Sequence, residues 1–415
     1  MKRLIISTIL LFVFKIAFAQ STDTVKVLFV GNSFTSVNNL PFVFEQLAIG
    51  ANRPVVVASH MPGGISVGDT VQGTSAHMNN PLVYNLIRSN DWDFLVLQDN
   101  QGRFVYDYGL FPASSLVMEG HIKIRDSLLF YHPCAKMVWF AGWGPKAGYL
   151  PYASTGVELI NRIYNNYKFL LDTAGQFIAP IGPAWERIIV NYPTINLWDA
   201  DDVHPGLNGT FLTAAVIFSS VFKSSPIQST YVPASMMSGE DTVLKNTGFQ
   251  TVIDSLFFTG LDSITPEIVR IGNTLNVSGY LNCNWYLNNI FITATGGILN
   301  ITQTGVYTAI VSDVNGCEFR TLEYLVSVIN SIDESKDNTF QIVISPNPTT
   351  GKIILEASKS LNRIQVFNSI GSQEIEILYP NKIETIDLSH LPKGIYYLKL
   401  TDSVSQINGK KIIVE

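Results

Sequence analysis

VKVLFVGNSFT, residues 25–35, joins an apolar run to an abrupt polar turn. Val27, Leu28, Phe29 and Val30 show no polar alternation, the pattern of a strand covered on both faces in a parallel sheet. Gly31 lets the backbone turn, and the next apolar stretch, Pro41 to Ala48, has helical spacing with Pro41 suited to a first turn. Ser33 therefore falls just past the carboxyl end of a central strand, the edge where open α/β sheets bind ligands. Such a serine either caps the following helix or serves chemistry.

The second stretch that matters is DADDVHPG, residues 199–206. Asp201 precedes His204 at a spacing that lets one loop aim a carboxylate at the imidazole. Asp202 is only two residues from the histidine and poorly angled, and Asp199 lies farther back, so Asp201 is the orienting candidate. A serine hydroxyl is a poor nucleophile until a base takes its proton, and the base needs an oriented tautomer.

Ser33 in GNSFT, with Asp201 and His204 in D-x-x-H near the end of an α/β segment, resembles the SGNH (GDSL-type) hydrolase family over about residues 24–259. Asn32 stands where the family motif often has Asp. The resemblance implies an ester hydrolase with catalytic Ser33, His204 and Asp201 and no cofactor or metal. It also implies an oxyanion hole from the Ser33 and Gly64 N–H groups and a side-chain amide. Gly64, with Gly63 beside it, lies in HMPGGISVGD (60–69), where a Cβ could obstruct the approach of a backbone N–H. LQDNQG (97–102) stands where many members have G-x-N-D. Aligning the asparagine makes Asn100 the donor, while Gln98 is the alternative suggested by relatives with an L-Q-x-Q-S-like stretch. Trp143 and Trp185 follow the fourth and fifth strands and could wall the substrate site or pack at the rim.

Strand patterns at Val25–Val30, Pro54–Ala58, Asp93–Leu97, Lys136–Ala141 and Gln176–Ile181 alternate with helical spacing at Pro81–Arg88, Ser114–Phe130 and Ser154–Ala174. That alternation predicts an α/β three-layer flavodoxin-like sandwich with a five-stranded parallel sheet in the order 2-1-3-4-5. An apolar helix over Thr210–Phe222 would support His204 from behind. His60, His77, His121 and His132 have no carboxylate at comparable spacing and read as structural or exposed.

Met1 to Ala19 has the charged start, apolar stretch and small-x-small end of a secretory signal peptide, too short in its apolar run for a membrane span. The remaining length exceeds one core, placing a hydrolase domain at 20–260. The net charge of -6, without a dense basic stripe, offers no electrostatic case for nucleic acid. Short β-rich runs over 263–330, including NWY (284–286), GVY (305–307) and DVNGC (313–317), resemble the immunoglobulin-like modules of secreted bacterial enzymes. In an exported chain Cys283 and Cys317 are expected to pair, leaving Cys134 free. SIDESKDN, 331–338, is a polar linker.

ISPNPTTGKIIL and LSHLPKGIYYLKL, within 339–415, strongly resemble the C-terminal sorting domain of the type IX secretion system of Bacteroidetes. Pro346, Asn347, Pro348, Gly351, Gly371, Gly394 and Tyr396 carry that match. Both small domains should be all-β sandwiches. The combined expectation is a secreted or surface serine esterase acting on a small acyl ester or acylated glycan and exported by the type IX machinery. No stable transmembrane segment is expected after signal cleavage. The competing reading is a surface-displayed glycan-binding protein that keeps the scaffold without turnover.

Overall fold

The computed structural model describes residues 24–69, 76–106, 114–280, 282–327, 342–357, 360–368, 372–402 and 407–415. The expected signal peptide, the linker and Gly371 lie outside them. Among the described residues no helix is long and apolar enough to cross a membrane.

Five parallel strands form the central sheet: β1 (Val25–Val30), β2 (Val55–His60), β3 (Phe94–Leu97), β4 (Lys136–Phe140) and β5 (Phe177–Ala179). They lie in the order β2-β1-β3-β4-β5, the flavodoxin-like order predicted, with β1 at the switch point. β5 is shorter than its sequence pattern because Pro180, with no N–H to pair, ends it and a helix begins at Ile181.

Helices cover both faces. Val27 and Phe29 of β1 point into one core with α2 (Leu40–Gly50), α6 (Ile181–Asn191) and α7 (Leu207–Phe222), which supply Phe44, Ile188 and Phe218. Leu28 and Val30 point into the other, against Ile87 of α3 (Pro81–Arg88), Val117 of α4 (Ser114–Tyr131) and Tyr167 of α5 (Gly156–Ala174). All four strand residues are fully buried, each contributing about 1.5–3 kcal/mol by area. One further helix that the sequence reading did not anticipate, α8 (Glu240–Ser255), packs on α7. Its buried stripe is narrow, with Leu244, Gly248, Thr251 and Val252 set among polar residues, so the apolar period is faint.

Register aligns the carboxyl ends: Val30 lies opposite both His60 and Leu97, and Leu97 opposite Trp139. The loops after β1, β2, β3 and β4 therefore open on one edge.

Two β-sandwiches follow. In the first, a three-stranded sheet faces a five-stranded one, and Trp285 of the larger sheet, paired opposite Ala309, is fully buried in a core shared with Leu275 and Leu299 of the smaller. The second stacks a three-stranded on a four-stranded sheet around Ile353, Leu355, Ile364 and Leu398.

The disulfide differs from expectation. Cys317 bonds Cys134, at the foot of β4, across 183 residues of sequence, while Cys283 is free and buried. Cys283 sits on a strand, paired opposite Val311, with its side chain in the sandwich core. Cys317 instead lies beyond the neighbouring strand, in the Asp313 turn. The bond therefore ties the α/β layer to the first sandwich. Thiol titration of the denatured, non-reduced protein should find one free cysteine, and reduction should lower stability by about 2–5 kcal/mol. A count of three would contradict the bond.

Candidate active site

β1 ends in a turn with no space for a side chain at Gly31, where a Cβ would lie 2.5 Å from Thr35 Oγ1 and 2.7 Å from Gln98 Oε1. The Gln98 oxygen accepts from Asn32 N–H (2.7 Å) and from the Thr35 hydroxyl (2.9 Å), so β3 holds the turn from below. Asn32 Oδ1 accepts from Phe34 N–H, while its Nδ2 donates to Ile65 O at 2.9 Å, fastening the loop after β2. Ser33 then opens the short helix α1 (Ser33–Ser36).

His204 comes to this serine from across 171 residues. Ser33 Oγ lies 2.8 Å from His204 Nε2, and His204 Nδ1 lies 2.5 Å from Asp201 Oδ2. Since a carboxylate only accepts, Nδ1 carries the proton and donates it, leaving Nε2 to accept from the Ser33 hydroxyl. Asp201 Oδ1 also accepts from the N–H groups of Val203 and His204, both at 2.9 Å. The His204 bond first, then these two, pull its carboxyl down to about 2. The neighbouring acids are occupied elsewhere: Asp199 Oδ1 takes the Ala200 N–H, and Asp202 faces Lys146 Nζ at 3.5 Å.

The histidine loop is closed on itself, with Asp199 N–H donating to His204 O and Gly206 N–H to Leu197 O. Asn38, in left-handed backbone at φ 56, donates from Nδ2 to Pro205 O at 2.8 Å and so ties the serine loop directly to it. Asn38 was not singled out from sequence. An adjacent asparagine pair, Asn38–Asn39, is the only local signal, since asparagine tolerates that region.

Trp143 and Trp185 are both fully buried and stacked on each other at 3.8 Å, so neither walls an open site. Trp143 instead packs against Phe34, which packs against the His204 ring, and its Nε1 donates to Val203 O. Their work is support from behind.

Gln98 is buried, its oxygen engaged as above and its amide nitrogen donating to Asp99 O. Asn100 uses Oδ1 to cap Gly102 N–H, which leaves its amide as the candidate donor. Gly64 is exposed, with open space where a Cβ would stand, and its glycine is required by φ +72 rather than by close approach.

Asp99 was not singled out from sequence, and His77 and His121, read there as structural or exposed, are buried beside the site loops. Asp99 Oδ1 accepts from Ser66 Oγ, Val67 N–H and Asn100 N–H at 2.7–2.8 Å, locking the loops after β2 and β3 together. Its Oδ2 faces His121 Nε2 at 3.9 Å, and His121 Nδ1 donates to Val117 O. Burial pushes the His121 imidazole down while Asp99 opposes. His77, also buried, has Nε2 2.9 Å from Gly31 O, and burial lowers it to about 4, so it stays neutral and donates to the turn. Among the described residues no group of three or more His, Cys, Asp or Glu is placed to hold a metal ion.

Fold and site together define a class: an open α/β sheet carrying a hydrogen-bonded Ser–His–Asp relay at its carboxyl edge. The comparisons add the particulars. Residues 343–415 match the family of secretion system C-terminal sorting domains, and the protein is thereby addressed through type IX secretion to the cell surface or exterior. No curated protein matches the chain. Among solved structures, it is similar to a DUF4886 family protein from Bacteroides uniformis, with 15% identity, TM-score 0.45, and coverage of 56% of this chain and 95% of that one. It is also similar to the acetyl xylan esterase AlAXEase, with 14% identity, TM-score 0.38, and coverage of 48% and 100% respectively. A carbohydrate esterase family 3 protein from Talaromyces cellulolyticus has 15% identity, TM-score 0.35, and coverage of 48% and 97%.

Replacing Asp99 by Ala strands three donors in the interior and should cost at least about 2 kcal/mol in urea unfolding. Asp99→Asn keeps the accepting oxygen and should recover most of that loss. Equal stability of Asp99→Ala and the parent would contradict the locking role.

Proposed function

We propose that this protein is a secreted serine esterase that removes a small acyl group from a glycan through a covalent acyl-enzyme. The observation that carries the reading is the unbroken line from Asp201 through His204 to the Ser33 hydroxyl. His204 Nε2 takes the Ser33 proton as Oγ attacks the ester carbonyl, and Asp201 stabilises the imidazolium that forms. The same imidazolium gives its proton to the leaving oxygen, which departs as the neutral alcohol. Water then enters, gives a proton to His204 as its oxygen attacks the acyl carbon, and the acid leaves as His204 returns that proton to Ser33 Oγ.

Charge on the tetrahedral oxygen would be met by the N–H groups of Ser33 and Gly64 and by the Asn100 amide. The bond from Asn32 to Ile65, next to Gly64, and the cap from Asn100 to Gly102 support that assignment. An esterase of this type needs the residue pair more than any metal, and its substrate would be met outside the cell, where the sorting domain sends it. The domain limits that go with this reading are 20–260 for hydrolysis, 263–330 for the immunoglobulin-like module and 339–415 for sorting.

On 4-nitrophenyl acetate, Ser33→Ala should abolish nitrophenol release with the fold kept by circular dichroism. Asp201→Asn should lower kcat by about 10³–10⁴, since an amide no longer fixes the tautomer. Undiminished turnover in Ser33→Ala would overturn the reading. Release of acetate from acetylated polysaccharides tests the glycan part. Deleting residues 340–415 should hold the protein in the periplasm, and normal export of the shortened chain would oppose the sorting assignment.

A further inference from the structure

The loop between β4 and α5 is braced by its own backbone. Tyr149 N–H and Ala153 N–H exchange bonds with each other's carbonyls at 2.9 and 3.0 Å, Tyr152 N–H donates to Tyr149 O, and Gly156 N–H donates to Lys146 O. Ser154 N–H and Oγ both donate to Glu158 at 2.6–2.7 Å, fixing the loop to the first turn of α5. Yet the tip of this rigid loop holds Tyr149, Leu150 and Tyr152 in water at 44%, 78% and 38% exposure.

Those side chains are arranged. The Tyr149 and Tyr152 rings lie within 11° of parallel at 6.1 Å, and Tyr106 meets Tyr152 edge-on at 4.9 Å. The Tyr106 and Tyr149 side chains are hydrogen-bonded. The Arg162 guanidinium covers the Tyr152 ring at 5.5 Å. Two loops are thus joined in one aromatic shelf, after β3 and after β4.

The shelf adjoins the site. Lys146 N–H donates to Asp202 O at 2.9 Å, within the loop that carries Asp201 and His204, and Lys146 Nζ lies over Trp198 in the same loop. Tyr149 is three residues from Lys146, so its Cα lies within about 11 Å of that anchor.

Keeping rings in water on a braced loop does nothing for folding, since their apolar faces gain only when covered. A preformed shelf lowers the ordering cost of a ligand that covers it. The chemistry of the shelf selects that ligand. Each tyrosine offers an apolar face with a hydroxyl edge, and the charged Arg162 stands over the Tyr152 ring. A pyranose ring has the same two-sided character, with C–H groups on its face and hydroxyls at its edge, whereas an alkyl chain would leave the tyrosine hydroxyls and flanking charge unmatched.

We propose that Tyr106, Tyr149 and Tyr152, with Leu150 at their edge, form a carbohydrate subsite that holds the sugar chain on the leaving-group side of the ester. Its place in the reaction rests on the esterase reading above; the binding itself does not.

The test is migration of the full chain carrying Ser33→Ala through native gels containing acetylated xylan, acetylated glucomannan or acetylated pectin. Retardation by at least one polymer is expected, and the added pair Tyr149→Ala and Tyr152→Ala should weaken it about tenfold. Unretarded migration in all three gels, or retardation that the pair leaves unchanged, overturns the subsite. Thermal unfolding of each variant controls for folding, and Tyr149→Phe with Tyr152→Phe, which keeps the ring faces, should restore most of the retardation. In the chain with Ser33 intact, the pair should lose at least fivefold more kcat/KM on the retarding polymer than on 4-nitrophenyl acetate; equal losses would overturn it. If nitrophenyl acetate is not hydrolysed at all, the esterase reading fails while the gels still decide the subsite.

Discussion

Every other feature of the site depends on β1 being buried on both faces. Val27 and Phe29 are locked under α2, α6 and α7, and Leu28 and Val30 under α3, α4 and α5. The strand has no freedom to slide, because a shift of one residue would exchange its two faces and mismatch both cores. Its carboxyl end is therefore a fixed point, and the turn at Gly31 inherits that precision. Loops that must place a hydroxyl to within a fraction of an ångström are best hung on such an element.

The loops themselves are held by polar groups buried out of water. Asn32, Gln98, Asp99 and His77 each reach from one loop to another, and their bonds would count for little on a wet surface. In the interior an unmade bond is costly, so each loop is confined to the arrangement that satisfies all four. Asp201 and His204 are different: their side chains remain 50% and 31% exposed, with the imidazole steadied by Phe34 and the paired tryptophans. The site is thus rigid behind and open in front.

Where the sequence reading went astray, the reason is geometric. Trp143 and Trp185 follow the fourth and fifth strands, but strand position does not reveal whether a ring faces out or back, and both face the core. Gln98 was a fair donor by type, and only the fold shows it buried, with its oxygen on the turn and its amide nitrogen donating to Asp99 O. Cysteine pairing failed for the same reason: Cys283 points between the sheets while Cys317 reaches the other layer, a choice set by the docking of two domains rather than by either one's sequence pattern.

The amino-acid order alone determined the alternation of strands and helices, the strand order, the secretion address and the residue types at the serine and histidine loops. These follow from periodicity, turn chemistry and short motifs, all of which act over a few residues. Tertiary structure alone decided that Asn38 and Asp99 join the loops, that two tryptophans turn inward, and that three tyrosines gather on a shelf. Those outcomes depend on groups far apart in the chain meeting at set distances, and only packing brings them there.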